Sequence, residues 1–189
     1  SETGASTQET YTTDDFTYTL IDEYSKVQIL SYIGSDTDVV IPDRIDNKKV
    51  TSIADSAFRE KSITSVVFGQ YVESIGNYAF YSCQSLNKLD FSKSSVKTIG
   101  DYAFTVCKSL ESIEFPDSLE SIGYGAFSAY TDGYGGYYGS YVASSLKSVK
   151  FGGGLKSIES YAFYENRALN TVKFTGDALT SIGYRSFYN

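Results

Sequence analysis

The stretch LESIEFPDSLESIGYGAF, residues 110–127, contains the pattern that decides the fold of this chain. Its first six residues have the form L-x-x-[ILV]-x-F, in which the last two apolar positions flank a polar one, as in a β-strand with one buried face. Its last six residues, IGYGAF, place an Ile four residues before the Ala of an Ala-Phe pair. The stretch therefore predicts a short strand, a turn and a second apolar segment.

Both halves of this stretch recur along the chain. The segments equivalent to IGYGAF are IADSAF (53–58), IGNYAF (75–80), IGDYAF (99–104), IESYAF (158–163) and IGYRSF (182–187). Their Phe residues are separated by 22, 24, 23, 36 and 24 positions, so one interval carries an insertion and the other four agree within two residues. One such unit cannot bury its own apolar side. The recurrence therefore predicts coils that stack around a continuous core.

The predicted fold class is an α/β repeat solenoid in which strands from successive coils form parallel sheets. In four coils, a polar residue that can accept a backbone N–H bond stands three positions before the Phe of the A-F segment. These residues are Asp55, Asn77, Asp101 and Ser160. Since such residues cap helical turns, each A-F segment is predicted to form a short helix or a helical turn.

The chain divides into three predicted parts. Residues 1–13 are polar and are expected to form a disordered lead, while residues 14–48 contain short apolar strands. The first coil of a solenoid needs a cover with a polar outer face, so residues 14–48 are predicted to be an N-terminal β cap. Residues 49–189 are the array of about six coils, with an insertion at 128–144.

The repeat resembles that of the BspA-like leucine-rich repeats of bacterial surface proteins, whose unit reads roughly L-x-x-I-x-[IF]-P-x-x-[VL]-x-x-I-G-x-x-A-F-x-x-C. Residues 110–127 match this unit nearly throughout, and the resemblance covers about residues 25–188. One departure is the Pro after the strand, which is retained here only as Pro116. The resemblance implies a right-handed leucine-rich-repeat superhelix in a protein that is secreted or displayed on a bacterial cell surface and binds a host or matrix protein.

The polar lead also supports export, but more weakly than the family resemblance does. Residues 1–15, SETGASTQETYTTDD, are typical of the tether that follows a removed signal peptide, with an arbitrary boundary of the chain as the alternative.

The composition argues against catalysis and against several classes of ligand. The chain has no His, the commonest acid/base group and metal ligand near neutral pH, so the prediction is no enzyme, no cofactor and no metal. Its net charge is −7, of which −6 falls in residues 1–50, which disfavours nucleic acid as a partner. The longest apolar runs fall well short of the roughly 18 residues of a membrane span, so no membrane insertion is expected.

The two cysteines, Cys83 and Cys107, each stand three residues after the Phe of an A-F segment, where a later coil has Asn166. Free, buried thiols are the favoured prediction. Strands of adjacent coils lie about 4.8 Å apart, which is within disulfide range, so an oxidised pair is the alternative.

The insertion SAYTDGYGGYYGSYVAS at 128–144 is the first candidate for a binding site. Glycine gives its backbone freedom, and Tyr offers a large amphipathic contact area at a low cost in side-chain entropy, as in adaptable binding loops. A neutral excursion that packs on the array is the alternative. The candidate residues are Tyr130, Tyr134, Tyr137, Tyr138 and Tyr141.

The second candidate is the outward position between the last two apolar residues of the strand. Stacking turns this position into a column whose charge changes sign along the array, which favours docking of a complementary partner; ordinary solvated charges are the alternative. The charged residues of the column are Asp90, Glu114, Lys150 and Lys173. A separate column of Glu73, Lys97, Glu120 and Lys156 alternates in sign and predicts ion pairs between coils.

The function predicted from these features is a non-catalytic, surface-displayed module for protein–protein interaction of the adhesion type. One alternative is a carbohydrate-binding module, because exposed Tyr rings also stack on sugars. The other is a passive stalk that spaces the domains of a longer surface protein.

Overall fold

The computed structural model describes residues 8–131 and 139–189, which form a parallel β-solenoid. The strands are β1 (Tyr11–Thr12), β2 (Phe16–Ile21), β3 (Lys26–Tyr32), β4 (Asp38–Val40), β5 (Arg44–Ile45), β6 (Lys48–Ile53), β7 (Ser65–Val67), β8 (Ser74–Ile75), β9 (Lys88–Asp90), β10 (Thr98–Ile99), β11 (Ser112–Glu114), β12 (Ser121–Ile122), β13 (Tyr130–Thr131), β14 (Ser140–Tyr141), β15 (Ser148–Phe151), β16 (Ser157–Ile158), β17 (Thr171–Phe174) and β18 (Ser181–Ile182). The parallel stacking predicted from the repeat is confirmed.

Two faces of the solenoid are sheets. The short strands that enter the A-F segments pair in parallel in the order β6-β8-β10-β12-β16-β18, and their Ile residues stand in register. The strands of the L-x-x-[ILV]-x-F blocks, together with β4 from the segment before the first block, form two further sheets, β4-β7-β9 and β11-β15-β17. Each coil thus contributes one strand to each face, and the apolar side chains of both faces point inward.

The A-F segments connect the two faces as consecutive turns, and no helix is present among the described residues. In the first coil the Ala57 N–H bonds to the Ala54 carbonyl within the coil, while the Phe58 N–H bonds to the Ala79 carbonyl of the next coil. An α-helix would direct these N–H groups to carbonyls four residues earlier. The predicted short helices are therefore not confirmed, and turns occupy their place.

A positive φ is a regular feature of these turns. It recurs at the residue two positions before the Phe, with values of 59° at Ser56, 56° at Tyr78, 55° at Tyr102, 59° at Gly125 and 60° at Tyr161. Such values are unusual for bulky residues. The backbone N–H of each of these residues donates to a carbonyl of the next coil, at 2.8–3.1 Å. These hydrogen bonds between coils hold the unusual conformation in place.

The predicted capping residues bond between coils. The Asp55 carboxylate accepts a bond from the Asn77 backbone N–H, and the Asn77 side-chain oxygen accepts one from the Asp101 N–H, both at 2.8 Å. The Asp101 carboxylate in turn accepts a bond from the Tyr124 N–H at 2.8 Å. These side chains therefore join neighbouring coils instead of capping helices.

The core consists of two ladders of Phe rings. In the A-F ladder the rings stack at centroid distances of 4.6–5.1 Å. Its members are Phe58, Phe80, Phe104, Phe127, Phe163 and Phe187. The strand ladder runs from Phe68 to Phe174, and its widest step, 5.8 Å between Phe91 and Phe115, lies where its sheet is interrupted. Aromatic stacking thus supplies much of the apolar burial.

The N-terminal strands cover the first coil. Strands β2 and β3 pair antiparallel, and β3 pairs in parallel with β6 of the first coil. Phe16 and Tyr32 are buried against Phe58. Of the polar lead, residues 1–7 lie outside the described residues, and residues 8–13 include β1, which pairs with β2. No helix among the described residues has the length and apolar character needed to cross a membrane.

The Cys/Asn column also links neighbouring coils. Cys83 and Cys107 are free and buried, and their thiols donate bonds to the carbonyls of Phe58 and Phe80 at 3.0 and 3.2 Å. In a later coil the Asn166 amide donates to the Phe127 carbonyl at 2.8 Å. Thiol and amide therefore have the same role, a hydrogen bond to a Phe carbonyl of the preceding coil, and the thiols need not be oxidised for it.

Burial makes both thiols unreactive in the folded chain. It raises the pKa of Cys83 to about 12 and that of Cys107 well above its usual value, so at pH 8 both remain protonated, whereas the thiolate is the nucleophile. We expect iodoacetamide to label neither thiol of the native protein and both after denaturation in guanidinium, as read by intact mass. Rapid labelling of the native chain, or no free thiol in the denatured, unreduced chain, would contradict this.

Candidate functional site

Tyr side chains line the outside of the consecutive turns. Because Ala and Phe of each A-F segment point into the core, the residues beside them face outward. Their rings follow one another along the solenoid at centroid distances of 5.0, 5.4, 5.4 and 5.7 Å. The rings in this row are Tyr78, Tyr102, Tyr124, Tyr161 and Tyr184.

A second row of Tyr side chains comes from the position directly after the Phe. Tyr164 packs edge-on against Tyr161 at 5.2 Å and stacks on Tyr188 at 5.7 Å. Tyr81 packs against Tyr78 at 5.7 Å with the two rings tilted by 58°. We call the two rows, together with Tyr130 and Tyr141, the tyrosine surface.

The insertion joins this surface at its two ends. Strands β13 and β14 pair antiparallel, with Tyr130 opposite Tyr141 at a ring distance of 5.0 Å. Tyr130 also meets Tyr164 edge-on at 5.9 Å. The structure therefore brings two of the five predicted Tyr residues of the insertion onto the array. The other three, Tyr134, Tyr137 and Tyr138, lie outside the described residues.

The tyrosine surface has a gap beside Tyr124, in the coil that precedes the insertion. Gly125 takes the position held by Tyr102 and Tyr161 in the flanking coils, and Ser128 takes the position held by Tyr164. A pocket of about 290 Å³ opens at this point. Its lining consists of Tyr102, Tyr124, Gly125, Ser128, Tyr130, Tyr141, Tyr161, Tyr164 and Arg185.

Arginines stack on the rings around the pocket. The Arg185 guanidinium lies over both Tyr184 and Tyr188 at 5.0 Å, and that of Arg167 lies over Tyr141 at 5.3 Å. Arg167 also pairs with the Glu165 carboxylate at 2.7 Å. Arg185 has no carboxylate within ion-pair distance in the described part of the chain.

The predicted charge column is found on the sheet face, in two parts. Asp90 lies opposite Val67 in the β4-β7-β9 sheet, whereas Glu114, Lys150 and Lys173 are aligned in the β11-β15-β17 sheet. Glu114 and Lys150 form an ion pair, which raises the pKa of Lys150. The structure therefore brings three of the four residues together in one sheet and places Asp90 across the interruption.

Two bonds from Ser92, one from its hydroxyl and one from its backbone N–H, hold the Asp90 carboxylate and lower its pKa.

The second predicted column forms ion pairs as expected. Glu73 bonds to Lys97 at 3.2 Å and Glu120 to Lys156 at 2.7 Å. These exposed pairs contribute at most about 1 kcal/mol each.

Sequence reasoning missed most of the tyrosine surface. Tyr78, Tyr102 and Tyr161 fill a variable position of the repeat, so the repeat pattern gave them no special role. One feature of the sequence could have indicated this surface: three of six coils carry Tyr at the position before Ala. That position has a positive φ, which L-residues rarely adopt.

Among the described residues no cluster of three or more His, Cys, Asp or Glu side chains could hold a metal ion. The tyrosine surface itself is built from rings, hydroxyls and a few guanidinium groups.

Comparison with solved structures relates this fold to bacterial leucine-rich repeat proteins. A T. pallidum leucine-rich repeat protein is 24% identical, with a TM-score of 0.65 over 93% of this chain and 86% of that one. A leucine-rich cell surface protein from Faecalibacterium prausnitzii A2-165 is also 24% identical, with a TM-score of 0.63 over 97% of this chain and 53% of that one. This chain therefore spans about half the length of the F. prausnitzii protein.

Sequence comparison identifies the family. No curated protein matches the chain significantly. The family profile described as BspA type leucine rich repeat region matches residues 37–132 and 137–189 in six copies. Since these matches cover most of the chain, the protein belongs to the BspA-type leucine-rich repeat family.

Proposed function

We propose that this chain is a non-catalytic module, secreted or displayed on a bacterial cell surface, that binds a protein partner through the tyrosine surface. The observation that carries the proposal is the contiguous set of ten Tyr rings on the outside of the turns. Membership of a leucine-rich repeat family supports it, because such repeats generally bind proteins. The F. prausnitzii structure, described as a cell surface protein, supports the location.

The exposure of the rings suits protein contact. Tyr124, Tyr141, Tyr184 and Tyr188 are 39–62% exposed although they are large and partly apolar. Contiguous exposed apolar area of this kind marks interaction sites, and Tyr is enriched at interfaces because one side chain offers both ring area and a hydroxyl. A host or matrix protein with a flat, partly apolar face is the partner that we propose.

The sheet face is a second proposed contact. Beyond the Glu114–Lys150 pair, Lys173 extends the positive end of the column, while Asp90 lies at the negative end. Charges at the rim of an interface mainly affect the association rate and its salt dependence. We therefore assign this column a steering role and assign the affinity to the tyrosine surface.

The proposal can be tested by surface plasmon resonance with a panel of immobilised extracellular matrix proteins. For the partner that binds, we expect a Tyr124→Ser, Tyr184→Ser double variant to bind at least about tenfold more weakly. Tyr residues that become buried in an interface are frequent hot spots of binding energy. Tyr24 is the matched control, since it is 68% exposed and lies in the turn between β2 and β3. Tyr24→Ser should leave the affinity unchanged.

Two results would contradict the proposal. One is unchanged affinity of the folded double variant, and the other is an equal loss with Tyr24→Ser. A passive stalk, the remaining alternative, predicts that no partner binds with either variant or with the original chain. The pocket within the tyrosine surface gives separate support to sugar binding.

A further inference from the structure

We infer that the pocket at Gly125 is a binding site for an acidic sugar, a pyranose ring that carries a carboxylate. This site adds a ligand class to the protein-binding proposal and does not depend on it. A protein partner would lie across the exposed rings of the tyrosine surface, whereas the sugar would enter the recess at Gly125.

The recess exists because one coil has Gly125 where both neighbouring coils have a Tyr, and Ser128 where the following coil has Tyr164. At Gly125 and Ser128 the side chains are absent or small, while Tyr102 stands on one side and Tyr161 and Tyr164 on the other. Its volume of about 290 Å³ lies at the lower end of small-molecule sites. The space suits one sugar ring better than an extended chain.

The floor of the recess is tightly packed. A Cβ atom built on Gly125 would come within 2.8 Å of a ring carbon of Tyr102. The Tyr102 ring therefore lies directly against the Gly125 backbone, and the site depends on the absence of a side chain at this position.

The lining has the chemistry of a sugar site. Among the described residues that line the recess, every side chain apart from Arg185 is a Tyr or a Ser, and none is aliphatic. A pyranose has an apolar C–H face and a hydroxyl-bearing edge. Tyr side chains match both, because each has an apolar ring face and a polar phenol group.

The charge of the site selects an acid. Arg167 forms an ion pair with Glu165 at 2.7 Å, whereas no carboxylate among the described residues forms an ion pair with Arg185. Stacking on Tyr184 and Tyr188 at 5.0 Å holds the Arg185 guanidinium at the edge of the recess. A guanidinium binds a carboxylate through two parallel hydrogen bonds. The same group disfavours cationic ligands, which aromatic cages otherwise accept.

The test compares two sugars that differ at one group. Methyl β-D-glucuronide has a carboxylate where methyl β-D-glucoside has a hydroxymethyl group. Each is titrated into the chain while the resonances of the Tyr rings are followed by NMR. We expect the glucuronide to bind at least about tenfold more tightly, since a charge-assisted hydrogen bond is the difference between the two complexes.

Two variants locate the binding. Gly125→Tyr restores the residue that Tyr78, Tyr102 and Tyr161 supply at the same position with φ of 55–60°, so the backbone conformation suits a Tyr. The new Cβ displaces the Tyr102 ring from the floor, and the new ring fills the recess. Binding of both sugars should be lost. Arg185→Gln should weaken glucuronide binding about tenfold and leave glucoside binding unchanged. Tyr24→Ser, far along the chain, should alter neither titration.

Several results would overturn the inference. They are equal affinity for the two sugars, no binding of the glucuronide to the original chain, and glucuronide binding that survives in folded Gly125→Tyr. If Gly125→Tyr fails to fold, the Arg185→Gln comparison decides alone. Because these titrations contain no protein partner, failure of sugar binding leaves the surface plasmon resonance test of protein binding intact.

Discussion

Replacing Phe104 by Ala is expected to lower the free energy of unfolding by about 3–5 kcal/mol, the usual effect of removing a buried aromatic ring. Phe104 is 1% exposed and stacks between Phe80 at 4.9 Å and Phe127 at 5.0 Å. Its loss would open a cavity in the middle of the A-F ladder, with turns on one side and strands on the other. Because a domain is stable by only about 5–15 kcal/mol in total, this change removes a large part of the stability.

Phe187→Ala is the matched control for this effect. Phe187 belongs to the same ladder but stacks on only one ring, Phe163 at 5.1 Å, and is partly exposed in the last coil. We expect a destabilisation well below that of Phe104→Ala. Urea denaturation followed by circular dichroism measures both, with the slope of the transition checked for constancy. Equal midpoints for the two variants would show that the ladder is not the core.

The Phe ladders are the part of the fold that sequence predicts most fully. Phe58, Phe80 and Phe104 recur in fixed phase with an Ile five residues earlier. Only stacked coils can bury such residues together. The register of the parallel strands follows directly from the repeat, since equivalent positions of successive coils must pair. The same reasoning predicted ion pairs between coils within the column Glu73, Lys97, Glu120 and Lys156, because register determines which charges are neighbours.

The conformation of the turns could not be predicted in the same way. Asp55, Asn77 and Asp101 are residues that cap helices, and that local rule favoured helical turns. In the structure their side chains accept N–H bonds from the following coil, 22–24 residues away. Contacts between coils thus override a local preference, and they hold bulky residues such as Tyr78 at positive φ. Propensity is read within a segment and contains no information about such contacts.

The candidate site depends on an absence that no single repeat reveals. Gly125 looks like one of many glycines in the sequence, and its meaning appears only when it is aligned with Tyr102 and Tyr161. The composition of the insertion directed attention to this region, and Tyr130 and Tyr141 pack at the edge of the pocket. The rings that form most of the pocket come from the array itself, where the repeat pattern had suggested only structural roles.

Gly100→Ala is expected to destabilise the chain by about 2–3 kcal/mol, at the upper end of the range for an overpacked site. A Cβ at Gly100 would lie 2.6 Å from the Asn77 side-chain oxygen and 2.7 Å from both the Asn77 backbone nitrogen and the Gly76 carbonyl carbon. Two of these atoms belong to the backbone of the preceding coil, so relief requires the coils to separate. Separation weakens the 2.8 Å bond from the Asp101 N–H to Asn77 as well.

Glu159→Ala is the control for Gly100→Ala, because Glu159 stands at the equivalent position of a later coil and already carries a side chain. Its backbone makes the same kind of contact, an N–H bond to the Ile122 carbonyl at 2.9 Å. We expect this variant to stay within about 0.5 kcal/mol of the original chain, as exposed substitutions usually do. If urea midpoints showed Gly100→Ala to be as stable as Glu159→Ala, close backbone approach would not be what requires glycine after the Ile of the repeat. A large loss of unfolding free energy in Gly100→Ala alone would instead show that the Gly after the Ile sets the spacing of the coils. The same spacing then separates the Tyr rings that stack outside them.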